Sequence, residues 1–306
     1  MAASMVSVST HCLFISLSGP PRSVRDPIAV IIAGAGDVSS SYVAVERLVA
    51  PFCRIALFDR SGLGRSENGP QRHTATVAAT ELHALLSEAQ VNPPLILVGH
   101  SYGGIVAREY LHLYPGDVAG MVLSDAATEK SNHYFKVPDP NIDAVMGSLK
   151  YSLITGLRSD SVLSRDEWRT RAADIARGAE AAQAEAAAFI EVCETLGQKE
   201  QYTNCVMGAK PLSVIRCNSS RDYERIYEKG IEAGNGTQEQ QRAFRQLLDQ
   251  WDDIDRFLKE EQLQLSSKSR LVHVPDCGHH IHLVRPDVVA QEIQWVRDMI
   301  LMESQL

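Results

Sequence analysis

The chain has 306 residues, 44% of them apolar and 22% charged, with a formal net charge of −8. A chain of that size can bury a core without disulfides or metals, and its acidic balance excludes the basic footprint of a nucleic-acid binder. No stretch approaches the roughly 18 consecutive apolar residues of a membrane span, and the six cysteines stand singly without CxxC spacing, against a zinc or redox motif.

The N-terminal stretch MAASMVSVSTHCLFISLSGPPRSVRDP has no basic leader segment, so a signal peptide is not expected. With the cysteines read as reduced thiols, the expected location is cytoplasmic. Val6 and Val8, then Leu13, Ile15 and Leu17, alternate as in an edge hairpin. PIAVIIAGAG (27–36) predicts a buried parallel strand, and SSSYVAVERLVAPF (39–52) a helix with a serine cap. CRIALFDRSGLGRS (53–66) predicts a second buried strand and a glycine-rich loop. An amphipathic helix over 74–90 precedes the strand of PLILVGHSYGG. A helix over 104–115 and a strand over 118–127 follow.

Strand and helix alternate at short spacing, which predicts an α/β fold: a parallel sheet with helices on both faces and right-handed crossovers. The rhythm breaks after residue 127. Residues 128–209 hold no buried strand, and 168–197 are alanine-rich with high helix propensity. An ordinary surface helix pair has the same composition. A helical lid inserted in the sheet also explains why the strand pattern resumes at KPLSVIRCN (210–218). The expected organisation is therefore core 1–127, lid 128–209 and core 210–306. A long helix within 238–263 carries Phe244, Leu247, Leu248 and Trp251 on one stripe. The last strand is SRLVHVP (269–275), and a helix over 286–303 closes the chain.

Gly99-His100-Ser101-Tyr102-Gly103 forms G-x-S-x-G between a predicted strand and a predicted helix. A sharp strand-to-helix turn crowds the backbone, and glycines at 99 and 103 remove the Cβ atoms that would clash. Gly104 lets the helix pack close to the sheet. The Ser101 hydroxyl then projects at a helix N-terminus, with the Tyr102 N–H free to stabilise an oxyanion.

These residues resemble the α/β-hydrolase family over nearly the whole chain. GHSYGG looks like its nucleophile elbow, DRSGLGRS (59–66) is similar to its D-x-x-G-x-G-x-S loop, and CGHHIHLVRPDVV (277–289) resembles its terminal histidine loop. The resemblance implies an α/β-hydrolase fold: a mostly parallel sheet of about eight strands, a lid and a Ser–acid–His triad. It places the base at His279. His273 is expected in core or on the surface, His280 and His282 at the pocket rim or in solvent, and His100 packed under the elbow. Two acids stay open. Asp125 ends GMVLSD, after the strand that follows the nucleophile helix; Asp222 follows the next strand, two residues later than the common family spacing, with Cys217 where relatives carry glycine. Ala33 replaces a histidine common in relatives, and the backbone N–H of Ala35 is the expected second oxyanion donor. Asp37 reads as a helix cap.

No metal set, phosphate loop or other cofactor site emerges. The expected partner is a small, hydrophobic molecule, because Tyr134, Phe135, Tyr151 and Trp168 fall in the lid. No nucleic acid or membrane span is expected, and the oligomeric state, a homodimer included, stays open. The expected function is a serine hydrolase acting on an ester, thioester or lactone through an acyl-enzyme on Ser101. Acyl transfer, carbon–carbon cleavage or cyclisation in a small-molecule pathway is the alternative on the same pocket. A silent binding protein on this scaffold is the other.

Overall fold

The structure is a computed structural model that describes residues 2–23, 25–70 and 72–303. Among the described residues, eight strands form one sheet. They are β1 (Ala2–Ser7), β2 (Cys12–Ser18), β3 (Ile28–Ile32), β4 (Arg54–Phe58), β5 (Leu95–His100), β6 (Val118–Ser124), β7 (Leu212–Cys217) and β8 (Ser269–Val274). Their order across the sheet is β1-β2-β4-β3-β5-β6-β7-β8. β1 and β2 form the N-terminal hairpin and pair antiparallel at one edge. β3 to β8 run parallel. This is the α/β-hydrolase sheet that the motif order implied.

Along β3, Val30 and Ile32 join one apolar cluster while Ala29 and Ile31 join the opposite one. Successive side chains point to opposite faces, so a strand buried on both sides must be apolar throughout. One face is covered by α2 (Ala75–Glu88) and α3 (Tyr102–Leu113), the other by α1 (Val43–Val49) and the C-terminal helix α14 (Pro286–Glu303). Each large aliphatic side chain sealed this way contributes about 1.5–3 kcal/mol.

Between β6 and β7 lie α4 (Ser131–Tyr134), α5 (Pro140–Met146), α6 (Tyr151–Ile154), α7 (Leu157–Asp160), α8 (Arg165–Arg177), α9 (Ala179–Ala187) and α10 (Phe189–Gly197). The alanine-rich segment is thus three consecutive helices rather than a pair. α8 starts at a capping box in which Ser164 and Glu167 bond each other's backbone. Between β7 and β8 lie α11 (Ser220–Glu232) and α12 (Gln238–Glu261), and α13 (Ile281–Val284) follows β8. Val145 of α5, Ile226 of α11 and Phe244, Leu248 and Trp251 of α12 share a separate apolar cluster. The α12 stripe therefore joins helices that precede and follow β7.

The serine cap expected before α1 is not formed. Ser39–Ser41 make a 3₁₀ turn, and α1 starts after Tyr42 without a side-chain cap. Two aspartates take bonds from this turn instead: the Ser39 N–H donates to Asp59 Oδ1 (2.6 Å), and the Ser41 hydroxyl donates to Asp37.

Candidate active site

The carboxyl ends of β3, β5, β6 and β8 bring Ala35, Ser101, Asp125 and His279 to one cavity of about 240 Å³, which Tyr102 also lines. In an open parallel sheet this edge is where ligands bind.

Ser101 has φ 52° and ψ −124°, a positive φ outside the helical and extended regions. Its neighbours impose that turn. A Cβ on Gly103 would lie 2.0 Å from the Ile32 carbonyl oxygen, and one on Gly99 2.6 Å from that of Gly103. β5, β3 and α3 approach this closely only because both positions are glycine. The Ser101 N–H donates to the Ser124 carbonyl (3.2 Å), so the elbow is tied to the end of β6 just before Asp125.

Asp125 also takes a positive φ, 44°. It is 2% exposed. Its Oδ2 lies 2.6 Å from His279 Nδ1, and its Oδ1 accepts the Cys217 N–H (3.2 Å). Lys259 Nζ, from α12, stands 3.6 Å from Oδ1 and 3.1 Å from Asp255. Burial alone would raise the Asp125 pKa; the Lys259 ammonium, His279 and the Cys217 N–H outweigh it and hold the carboxyl well below its usual range. Lys259 is buried too, yet Asp125 and Asp255 keep it charged. A carboxylate only accepts, so His279 Nδ1 carries the proton toward Asp125.

Asp222 does not reach the imidazole ring. Its Oδ2 accepts the backbone N–H of His279 (3.1 Å) and the Tyr151 hydroxyl (3.1 Å). It sits in the first turn of α11, and a Cβ on Gly278 would meet it at 2.2 Å. Burial raises its pKa more than these donors lower it. The extra residues after β7 carry this carboxylate past the ring and onto the backbone of the same loop.

His100 is buried under the elbow. Its Nε2–H donates to the His279 carbonyl (2.9 Å), and its Nδ1 accepts the Tyr42 hydroxyl (3.0 Å). The Tyr42 oxygen in turn accepts the Gly34 N–H (3.2 Å). Burial and the neighbouring His282, His279 and His280 push the His100 pKa well below its usual value, so it bonds as a neutral ring. It thereby links the histidine loop to the loop that carries Ala35.

His282 and His280 do not lie in solvent at the rim. His282 is 1% exposed, stacks on Tyr42 with 4.2 Å between ring centroids, and stands 3.4 Å from Asp37. His280 is half-buried beside Tyr151. His273 is exposed on β8. Asp37 is not a helix cap: its Oδ1 accepts the adjoining Val38 N–H (3.0 Å) and the Ser41 hydroxyl, with Arg171 3.8 Å away. Asp37, His100 and His282 do bring donor atoms within 4.8 Å of one another. Both ring nitrogens of His100 already have partners, however, and the Arg171 cation stands beside Asp37. Occupied nitrogens on His100 and a cation beside Asp37 do not suit a divalent ion.

The walls of the cavity differ from the sequence expectation. Of the four lid aromatics, Phe135 lines it, whereas Tyr151 faces Asp222 and His280, Trp168 lies under Arg158 and Arg171, and Tyr134 is 42% exposed. Phe189 of α10, Tyr223 of α11 and Trp251 and Leu258 of α12 complete the apolar wall. Sequence reading placed Trp251 on the apolar stripe of the long helix but missed Leu258 and Lys259 at the cavity; for Lys259 the local signal was the i, i+4 acid–base pair with Asp255. Among the described residues, no helix is long and apolar enough to cross a membrane.

A sequence profile of the alpha/beta hydrolase family matches residues 29–292. The chain is 29% identical over 300 residues to an AB hydrolase superfamily protein of Gibberella zeae, covering 94% of this chain and 92% of that protein. It is 31% identical over 300 residues to a Hormonema carpetanum protein named "Probable transporter efuK", covering 95% of this chain but 42% of that longer protein. A thermophilic esterase from Thermogutta terrifontis has a similar fold, with a TM-score of 0.60 at 16% identity over 97% of this chain and 99% of that one.

Proposed function

The chain belongs to the alpha/beta hydrolase family, and from that premise we propose that it is a serine hydrolase. It cleaves an ester, thioester or lactone of a hydrophobic small molecule through an acyl-enzyme on Ser101. One observation carries this reading: a buried carboxylate, Asp125, 2.6 Å from Nδ1 of His279, at the cavity that Ser101 also lines.

In the proposed reaction His279 Nε2 takes the Ser101 proton as Oγ attacks the substrate carbonyl. The backbone N–H groups of Tyr102 and Ala35 receive the oxyanion. Collapse breaks the bond to the alcohol or thiol, which leaves with the proton from His279. Water then adds to the acyl-enzyme, gives its proton to His279, and the acid departs as the proton returns to Ser101. Asp125 fixes the imidazole tautomer and stabilises imidazolium in both halves. Phe135, Phe189, Tyr223, Trp251 and Leu258 support an apolar substrate, since burying such groups drives binding. The helices of 128–209, together with α12, serve as the lid that keeps this site dry.

A fluorophosphonate probe is expected to label Ser101, and Ser101→Ala to abolish labelling. Folded wild-type protein that resists the probe and releases no acid from a panel of esters, thioesters and lactones would leave the binding-protein reading instead.

A further inference from the structure

A buried ion pair joins the cover to the loop that holds Ala35. Arg60 follows β4 and Glu185 belongs to α9; the two are 4% and 3% exposed. Arg60 Nε donates to Glu185 Oε1 (2.6 Å), and Nη2 donates to Oε2 (2.9 Å). The guanidinium also donates to two backbone carbonyls: Nη1 to Ala33 (2.7 Å) and Nη2 to Gly34 (2.7 Å). Glu185 Oε2 accepts the Gly36 N–H (2.8 Å).

The Gly34 carbonyl and the Ala35 N–H belong to one peptide group. That group is planar and trans, so its C=O and N–H point in opposite directions. Holding the carbonyl fixes where the N–H aims. Arg60 grips the carbonyl, with the Asp37 N–H as a second donor at 3.1 Å. A cation at the oxygen also polarises the peptide and strengthens its N–H as a donor. Glu185 fixes the next N–H along and orients Arg60. Both flanks of Ala35 are therefore held by one charged pair, half of it on α9.

The composition of α9 permits this contact. Gly36 has φ +61°, and a Cβ there would lie 2.8 Å from Cβ of Ala182; one on Gly62 would lie 2.8 Å from Cβ of Ala181. Alanines on the helix and glycines on two loops let the backbones approach. The run AEAAQAEAA therefore does more than favour helix: it seats the cover on the site.

We propose that Arg60 and Glu185 are positioning residues for the second oxyanion donor, so the hole is complete only while α9 is docked. This rests on the hydrolase reading above, and the test separates the two. Glu185→Gln removes the counter-charge; Glu185→Asp keeps it but withdraws the carboxylate by one methylene. Both are assayed on p-nitrophenyl butyrate and on the matching thionoester, whose sulfur fits an oxyanion hole poorly. Amide hydrogen exchange is measured on both variants and wild type. In each variant kcat for the ester is expected to fall about 10- to 100-fold, below the 10²–10³ of deleting a donor outright. KM should stay within about threefold, because the donor acts on the transition state. The ester-to-thionoester preference should shrink by the same factor as kcat. Exchange should quicken at 34–36 while the core strands stay protected. Equal losses on ester and thionoester, or unchanged exchange at 34–36 in a folded variant, would overturn the proposal. If wild type is inert to the ester and to the fluorophosphonate, the hydrolase reading fails, and exchange alone decides whether the pair clamps the loop.

Discussion

The ends of β6 and β7 lie side by side, and each brings an aspartate to His279. Asp125 is the first residue after β6 and bonds the ring; Asp222 lies in the first turn of α11 and bonds the backbone N–H of the same residue. Their electrostatics diverge as well. Asp125 is kept charged by Lys259 and His279 against its burial, whereas for Asp222 burial wins and its pKa is raised. Two acids of one type, neighbours on one sheet edge, thus suit different tasks. One can answer a charge that comes and goes on the imidazole; the other can hold the loop still.

The sharpest way to break this comparison is to remove each charge in turn. Asp125→Asn is expected to lower kcat about 10⁴-fold, the cost seen when a triad acid becomes an amide. Asp222→Asn keeps an oxygen that can accept the His279 N–H and should cost no more than about 10²-fold, on the scale of a misplaced rather than missing group. Steady-state rates on the best ester decide it, and an inverted order would assign the acid to the end of β7.

A smaller effect tests why Asp125 stays charged. Lys259→Met leaves Asp125 buried without its ammonium, whereas Asp255 keeps Arg216 at 2.9 Å. Breaking a buried pair from one side costs about 3–5 kcal/mol, which a urea titration would read as a lower midpoint with unchanged slope. Adding Asp125→Asn, which removes the charge left unpaired, should restore part of that loss. A single variant as stable as wild type would mean that Lys259 does not hold the acid.

The smallest expected effect is in the pH dependence of stability. A carboxyl held below its usual pKa, as Asp125 is, stabilises the fold above the ordinary carboxylate range near 4. That contribution fades as pH falls, because the unfolded chain binds the proton more readily. A raised carboxyl, as Asp222 is, works the other way: its ionisation costs stability at neutral pH, and acidification relieves the cost. Below about pH 4, Asp125→Asn should therefore flatten the acid loss of stability, while Asp222→Asn should steepen the profile slightly between pH 7 and about pH 4. Parallel curves for the two variants in acid-series urea melts would remove the electrostatic half of the comparison.

Much of this molecule was legible because its signals are local. The strands around Ile28–Ile32 and Leu95–His100 are continuous apolar runs, and the glycines of GHSYGG state a backbone constraint directly. Ser101, Asp125 and His279 each sit at or just beyond a strand end, so their meeting at one edge follows from the sheet. Where local rules misled, a long-range contact had taken over. Ser39 looked like a cap but bonds Asp59; Asp37 looked like a cap but faces His282 and Arg171. Tyr151 and Trp168 are apolar bulk in the cover and still face away from the cavity.

Periodicity and glycine spacing act within a few residues, and they sufficed for the class of sheet, the order of its elements and the placement of Ser101, His279 and two candidate acids beyond its strand ends. Only the tertiary structure decided which aspartate touches the imidazole, that a lysine from α12 keeps it charged, and that α9 reaches the Ala35 loop. Those outcomes turn on ångström-scale distances between residues as far apart as Arg60 and Glu185. No pattern along the chain encodes them, because burial and charge pairing depend on what the fold brings near.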